Sequence, residues 1–201
     1  MSPQQRSLVS LVAIVLALGA TAVAWQLQPP PAPPPSAGLE PIFDFAANAV
    51  RAIDLTTWQG RLRATRSEGG WRVEEIRLGK GASQPEPGLT APTPAELNET
   101  LDALVAAVVA TPQIDRFAAE GMPLRDFGLD PPQAQIALDL ESGVRRTLEI
   151  GSLTVTTSAL YARVLPSPEV FQIGSLIFNN VAAALFRLRA LDPKHRAGEG
   201  G

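Results

Sequence analysis

The chain has 201 residues, a formal net charge of −3, no cysteine and one histidine, His195. An acidic balance speaks against a nucleic-acid partner, which takes a basic face. Without cysteine there is no disulfide, thiolate metal site or thiol nucleophile. A lone histidine in a glycine-ended tail builds neither a triad nor a metal centre, so no metal and no cofactor is expected. Arginines do gather at Arg61, Arg63 and Arg66 and at Arg145 and Arg146. Acidic residues are interspersed among them, which weakens any reading as a phosphate-binding patch.

Residues 1–6 form a short polar start, and the run from Ser7 to Leu27 then contains no charged residue. About 20 apolar residues at about 1.5 Å each cross a hydrocarbon core. Leu8, Leu11, Ile14, Leu16, Leu18 and Val23 supply the apolar surface, and Trp25 suits the headgroup interface. Ala22-Val23-Ala24 also offers a cleavage pattern for a signal peptide. The apolar core of a cleaved signal is usually about 7–15 residues, and this run is longer, which favours an uncleaved single-pass anchor. Arg6 precedes the span and no further Lys or Arg follows before Arg51. The positive-inside rule places the N-terminus in the cytoplasm of a bacterial inner membrane, and the rest in the periplasm or outside the cell. Both readings export the remainder of the chain. Residues 28–38 include PPPAPPPS (29–36), an extended and semi-rigid spacer.

Residues 39–191 read as one exported α+β domain. Val50, Ile53 and Leu55 mark a strand after Phe43 and Phe45, and Arg61 to Arg66 marks a second. Glu68-Gly69-Gly70 signals a turn, and a third strand runs from Trp71 to Leu78. Trp71 and Val73 share one parity while Ile76 and Leu78 have the other, so a bulge is expected between them. Residues 79–92 read as a loop. Thr93 and Glu96 form a capping box with Pro94 in the first turn, opening a helix from Pro94 to Val109. Its stripe is Leu97, Leu101, Leu104, Val105 and Val108.

Residues 113–117 read as a short extended segment. Gly128 then permits a bend, Asp130 is suited to cap it, and Pro131 biases Asp130 away from helix. Phe127 and Leu129 are expected to plug the core from that bend. Ile136, Leu138 and Leu140 alternate, as do Leu148 and Ile150 after a Glu141-Ser142-Gly143 turn. Strands follow near 160–164 and 170–173, then a helix from Ser175 to Leu188 with Ile177, Val181, Ala184 and Leu185 on one face. The pattern predicts antiparallel β-meanders with two helices packed on the sheet, arranged as two similar βββα-type halves. Residues 192–201 read as a disordered tail.

Taken in order, Val50–Ile53–Leu55, Gly70-Trp71-Arg72-Val73, Phe127-Gly128-Leu129-Asp130-Pro131, Leu148-Glu149-Ile150-Gly151, Tyr161-Ala162-Arg163 and Val170-Phe171-Gln172-Ile173 resemble an uncharacterised bacterial family, domain of unknown function 4340. The resemblance runs from about Leu39 to Leu191. It implies a membrane-anchored exported α+β domain, in some members beside ABC-type transporters of gliding-motility systems. It brings no catalytic residues; Trp71, Phe127, Gly128, Leu129, Asp130, Pro131, Gly151 and Tyr161 are expected to be structural. The strand after Trp71 is longer here than in many relatives.

Three carboxylate pairs are the only candidates for acid–base chemistry. Glu74 and Glu75 are strand neighbours and should point to opposite faces. Glu96 and Glu99 favour the helix N-terminus. Asp126 and Asp130 flank a turn. There is no glycine-rich phosphate loop. The expectation is a non-catalytic accessory or scaffold subunit, held in the bilayer by its N-terminal helix, whose exported domain binds another membrane or envelope protein, with a transporter-type complex as one setting. The alternatives are a module for a small ligand or glycan, marked by Trp58 or Tyr161 at a pocket, and a carboxylate-dependent hydrolase.

Overall fold

Residues 39–79, 90–117, 121–155 and 158–193 are described by a computed structural model. The anchor segment 7–27, the proline-rich linker, most of the 79–92 loop and the tail beyond Pro193 lie outside these residues. Among the described residues no helix is long and apolar enough to cross a membrane.

Period-two alternation in the first third builds a meander of β1 (Val50–Thr57), β2 (Gly60–Ser67) and β3 (Gly70–Leu78). The parity break in β3 is resolved as expected. Arg63 pairs with Glu75 and Ala64 with Val73, so Glu74 is the extra residue of a bulge. Trp71, Val73, Ile76 and Leu78 thereby all pack on the core. Helix α1 (Pro94–Val109) opens on the Thr93–Glu96 capping box, and short β4 (Gln113–Phe117) follows.

A second meander runs through β5 (Ala134–Leu140), β6 (Arg145–Leu153), β7 (Ala159–Leu165) and β8 (Val170–Gly174) into α2 (Leu176–Leu188). All four strands expected here form, so the second half is a four-stranded meander with a helix and not a βββα unit like the first. Among the described residues, eight strands join one antiparallel sheet in the order β3-β2-β1-β5-β6-β7-β8-β4. The meanders meet at β1 and β5, where Ile53 faces Leu138 and Leu55 faces Ile136.

The core lies on one face of this sheet. Ile53, Leu55, Leu62, Ile136, Leu138, Leu148 and Ile150 are fully buried beneath Leu101, Val105 and Val108 of α1 and Val181, Leu185 and Leu188 of α2. Phe127 and Leu129 do not join that core. With Val170, and with Leu124 and Tyr161 against them, they form a separate apolar cluster. Val170 and Tyr161 alternate with Phe171 and Ala162, which belong to the main core, so this second cluster sits on the opposite sheet face. The described structure also continues past Leu191. Asp192, placed in the tail by composition, is 2 % exposed, because its Oδ2 accepts the Leu78 N–H at 2.8 Å.

Candidate interaction surface

The sheet face away from the helices carries ion pairs laid across the strands. Arg61 reaches Asp54 (3.9 Å) and Glu75 (3.5 Å), Arg63 reaches Glu74 (3.2 Å), and Arg145 reaches Asp54 (3.6 Å) and Asp139 (3.0 Å). Such exposed pairs contribute about 0–1 kcal/mol each, and a polar outer face is what a sheet covered on one side requires. One pair is different. Glu149 on β6 is only 5 % exposed; it accepts from Arg163 Nε at 2.5 Å and from Gln135 Nε2 at 2.9 Å. Its burial is matched by two cross-strand donors, one charged, which such a carboxylate needs.

Glu74 and Glu75 were expected on opposite faces. The bulge changes that: both side chains meet arginines of the outer face, Glu74 with Arg63 and Glu75 with Arg61 and Arg77. The two carboxylates thus share a face but have separate ion-pair partners. Glu96 is occupied by its cap. Its Oε2 accepts from the Thr93 N–H and hydroxyl, both at 2.8 Å, and these bonds hold its carboxyl below the ordinary 4.5. Asp126 lies 3.9 Å from Arg125. Asp130 is exposed and caps nothing, because Gly128 and Leu129 N–H groups close the turn onto backbone carbonyls of Arg125 and Leu124. Among the described residues no three His, Cys, Asp or Glu side chains converge as a metal site. Trp58 is exposed at the β1–β2 turn and Tyr161 stands edge-on to Phe127, centroids 5.2 Å apart. Neither lines either of the two grooves described below.

The edge strand β3 is the surface with the most unusual construction. At its start, the Trp71 N–H donates to Asn98 Oδ1 at 2.6 Å and the indole Nε1 donates to Asp102 Oδ1 at 2.8 Å. Arg66 also bonds Asp102 and lies over the Trp71 ring, 4.6 Å from its centroid. At its end, Asp192 takes the Leu78 N–H. Between these two fixtures, no described residue pairs with the backbone of residues 73–76 across the open edge. A groove of about 500 Å³ runs there, between residues 73–77 and residues 191–193. Sequence reasoning missed Asn98, Asp102 and Asp192. The i, i+4 spacing of the first two was a signal, since it puts them on one side of α1, but polar helix residues ordinarily face water.

The family-motif residues of the second half explain one another. Gly128 adopts φ +67°, and its turn lies directly on β6. A Cβ on Gly151 would stand 2.0 Å from the Phe127 carbonyl oxygen, and one on Gly128 would stand 2.7 Å from the Ser152 nitrogen. Two glycines thus let backbone rest on backbone, where β6 itself carries a register shift between Ile150 and Leu153. The Asp130–Pro131 bond is cis and leads the chain from this turn towards β5. Residues 113–193 match the family model Domain of unknown function (DUF4340). The DUF4340 match thus begins at β4 and contains Phe127 to Pro131, Gly151 and Tyr161. Trp71 and the first meander, which the sequence resemblance included, lie outside the matched span. No curated protein and no solved structure matches the chain.

Proposed function

We propose that this protein is a non-catalytic, membrane-anchored accessory subunit whose exported domain binds another membrane or envelope protein by accepting a strand at the edge of β3. The observation that carries this reading is the edge itself. Its two ends are fixed by side chains from α1 and from Asp192, while the intervening backbone borders a groove. An extended segment entering there would gain main-chain hydrogen bonds from β3 and side-chain contacts from residues 191–193. The charge-free run 7–27 supports a bilayer anchor at the inner membrane, with the domain on the far side. Some members of the family that the sequence resembles stand beside ABC-type transporters, which makes a transporter-type complex the setting to examine.

The test is purification of the tagged, full-length protein from native membranes in mild detergent, with a photoreactive residue at Arg72 or Arg77 on β3, or at Ile114 on β4. Those two strands are the opposite edges of the sheet. A stoichiometric membrane protein cross-linked from positions 72 and 77 but not from 114 is the expected result. Recovery of the protein alone, or equal cross-linking from both edges, removes the proposal.

A further inference from the structure

A second groove, of about 420 Å³, lies between residues 40–44, the start of β4 and the β7–β8 connection. Phe43, Val164 and Phe171 wall it with apolar surface, and Arg146 enters it. Arg146 is an exception among the arginines of the sheet. Arg51, Arg61, Arg63, Arg66, Arg77, Arg145 and Arg163 each have a carboxylate within 4.0 Å, and Arg72, the other sheet arginine without one, is exposed on the edge strand. Arg146 pairs in register with Leu138, which puts it on the helix-side, apolar face, where it is half-buried. There it has no ion pair and no hydrogen bond among the described residues. An unpaired guanidinium rising from the apolar face offers a bound carboxylate a charge-assisted contact with no competing protein acid on it.

We propose that this groove binds an amphipathic monocarboxylate, with the carboxylate on Arg146 and the apolar body against Val164 and Leu165, over Phe43 and Phe171. The walls suit that class: an unpaired cation beside apolar side chains in an open groove of ligand size. The charge around the mouth limits the ligand to a single negative charge. Arg116, the other cation there, lies between Glu40 (3.9 Å) and Glu169 (3.8 Å), and exposed Asp44 stands beside them. A phosphate or phosphonate dianion would share the groove with three carboxylates, which disfavour its second charge. The site is separate from the β3 edge, and its failure leaves the accessory-subunit reading untouched.

The probe is 3-phenylpropionate, titrated by calorimetry into full-length protein held in lipid nanodiscs, with empty nanodiscs subtracted. Its alcohol, 3-phenylpropanol, and phenethylphosphonate are the comparison ligands. Saturable binding of the carboxylate is expected, with both comparison ligands weaker. Arg146→Gln should weaken carboxylate binding by roughly tenfold or more, the loss of one charge-assisted contact. Arg145→Gln, on the opposite face and already paired with Asp139, should leave binding unchanged. A thermal melt like that of the parent shows that Arg146→Gln still folds. No saturable binding, equal binding of the alcohol, tighter binding of the phosphonate, or an unaffected Arg146→Gln variant each overturns the assignment.

Discussion

At Gly151 a single methyl group would collide with the Phe127 carbonyl oxygen at 2.0 Å, and that obstacle is backbone rather than a side chain that could swing away. Gly151→Ala is therefore expected to destabilise the domain by about 1–3 kcal/mol in chemical denaturation, the usual cost of forced overpacking. Gly69→Ala, where a Cβ meets nothing within 4 Å, should stay within about 0.5 kcal/mol of the parent. Glu96 makes a different kind of residue-scale contribution, one that titrates. Its carboxylate is favoured in the fold by the Thr93 backbone N–H first and the Thr93 hydroxyl second, so its folded pKa is depressed below 4.5. A depressed carboxylate pKa adds stability that is present above the unfolded value and is lost as pH falls through the folded value. Glu96→Gln should accordingly be less stable than the parent at neutral pH, and the gap should close on acidification below 4.5. A gap independent of pH between neutral and acid would show that the cap does not act through its charge. Thr93→Ala should cost about 1 kcal/mol at neutral pH by the same denaturation measurement.

Strand β3 shows how an element is held by groups that its own alternation does not reveal. Trp71 has its indole N–H on Asp102, its ring under Arg66 and its backbone N–H on Asn98. Trp71→Phe keeps most of the apolar contact and removes the indole donor, for an expected loss of about 1–2 kcal/mol in denaturant unfolding. Trp71→Ala should cost about 3–5 kcal/mol. If the two variants were equally destabilised, the hydrogen bond to Asp102 rather than the ring would be the main tether. The strands, both helices and the bulge at Glu74 were legible in the sequence, because period-two and period-3.6 patterns and a capping box each state a local preference directly. The consequence of the bulge was not. Neighbouring strand residues face oppositely only where the pleat is regular, and Glu74 is the irregularity. The second apolar cluster was illegible for a related reason. Phe127 and Leu129 are apolar in any register, and only the approach permitted by Gly128 and Gly151 decides which sheet face they cover. Arg146 looked like one more member of an arginine pair with Arg145. Adjacent positions in a strand put one on the polar face and the other on the apolar face.

At the scale of the whole domain, the DUF4340 match and the physical unit do not coincide. The matched span starts at Gln113, yet β5 inside it is paired along its length with β1 outside it, from Thr57–Ala134 to Val50–Leu140. The buried faces of β5 and α2 are completed by Ile53 and Leu55 of β1 and by the stripe of α1. Cutting the chain at 113 would expose a central strand edge and leave Ile136 and Leu138 without their cover, an arrangement that invites association between chains. The cut also removes the partners that compensate for ordering the second meander, and marginal stability leaves little room for such a loss. Residues 39–193 are expected to unfold in one cooperative transition, with far- and near-ultraviolet circular dichroism coinciding. Residues 113–193 alone should show no cooperative transition and should self-associate. A well-dispersed amide spectrum and a sharp melt from the short fragment would mean instead that the second meander is an autonomous fold, to which β1–β3 and α1 were added.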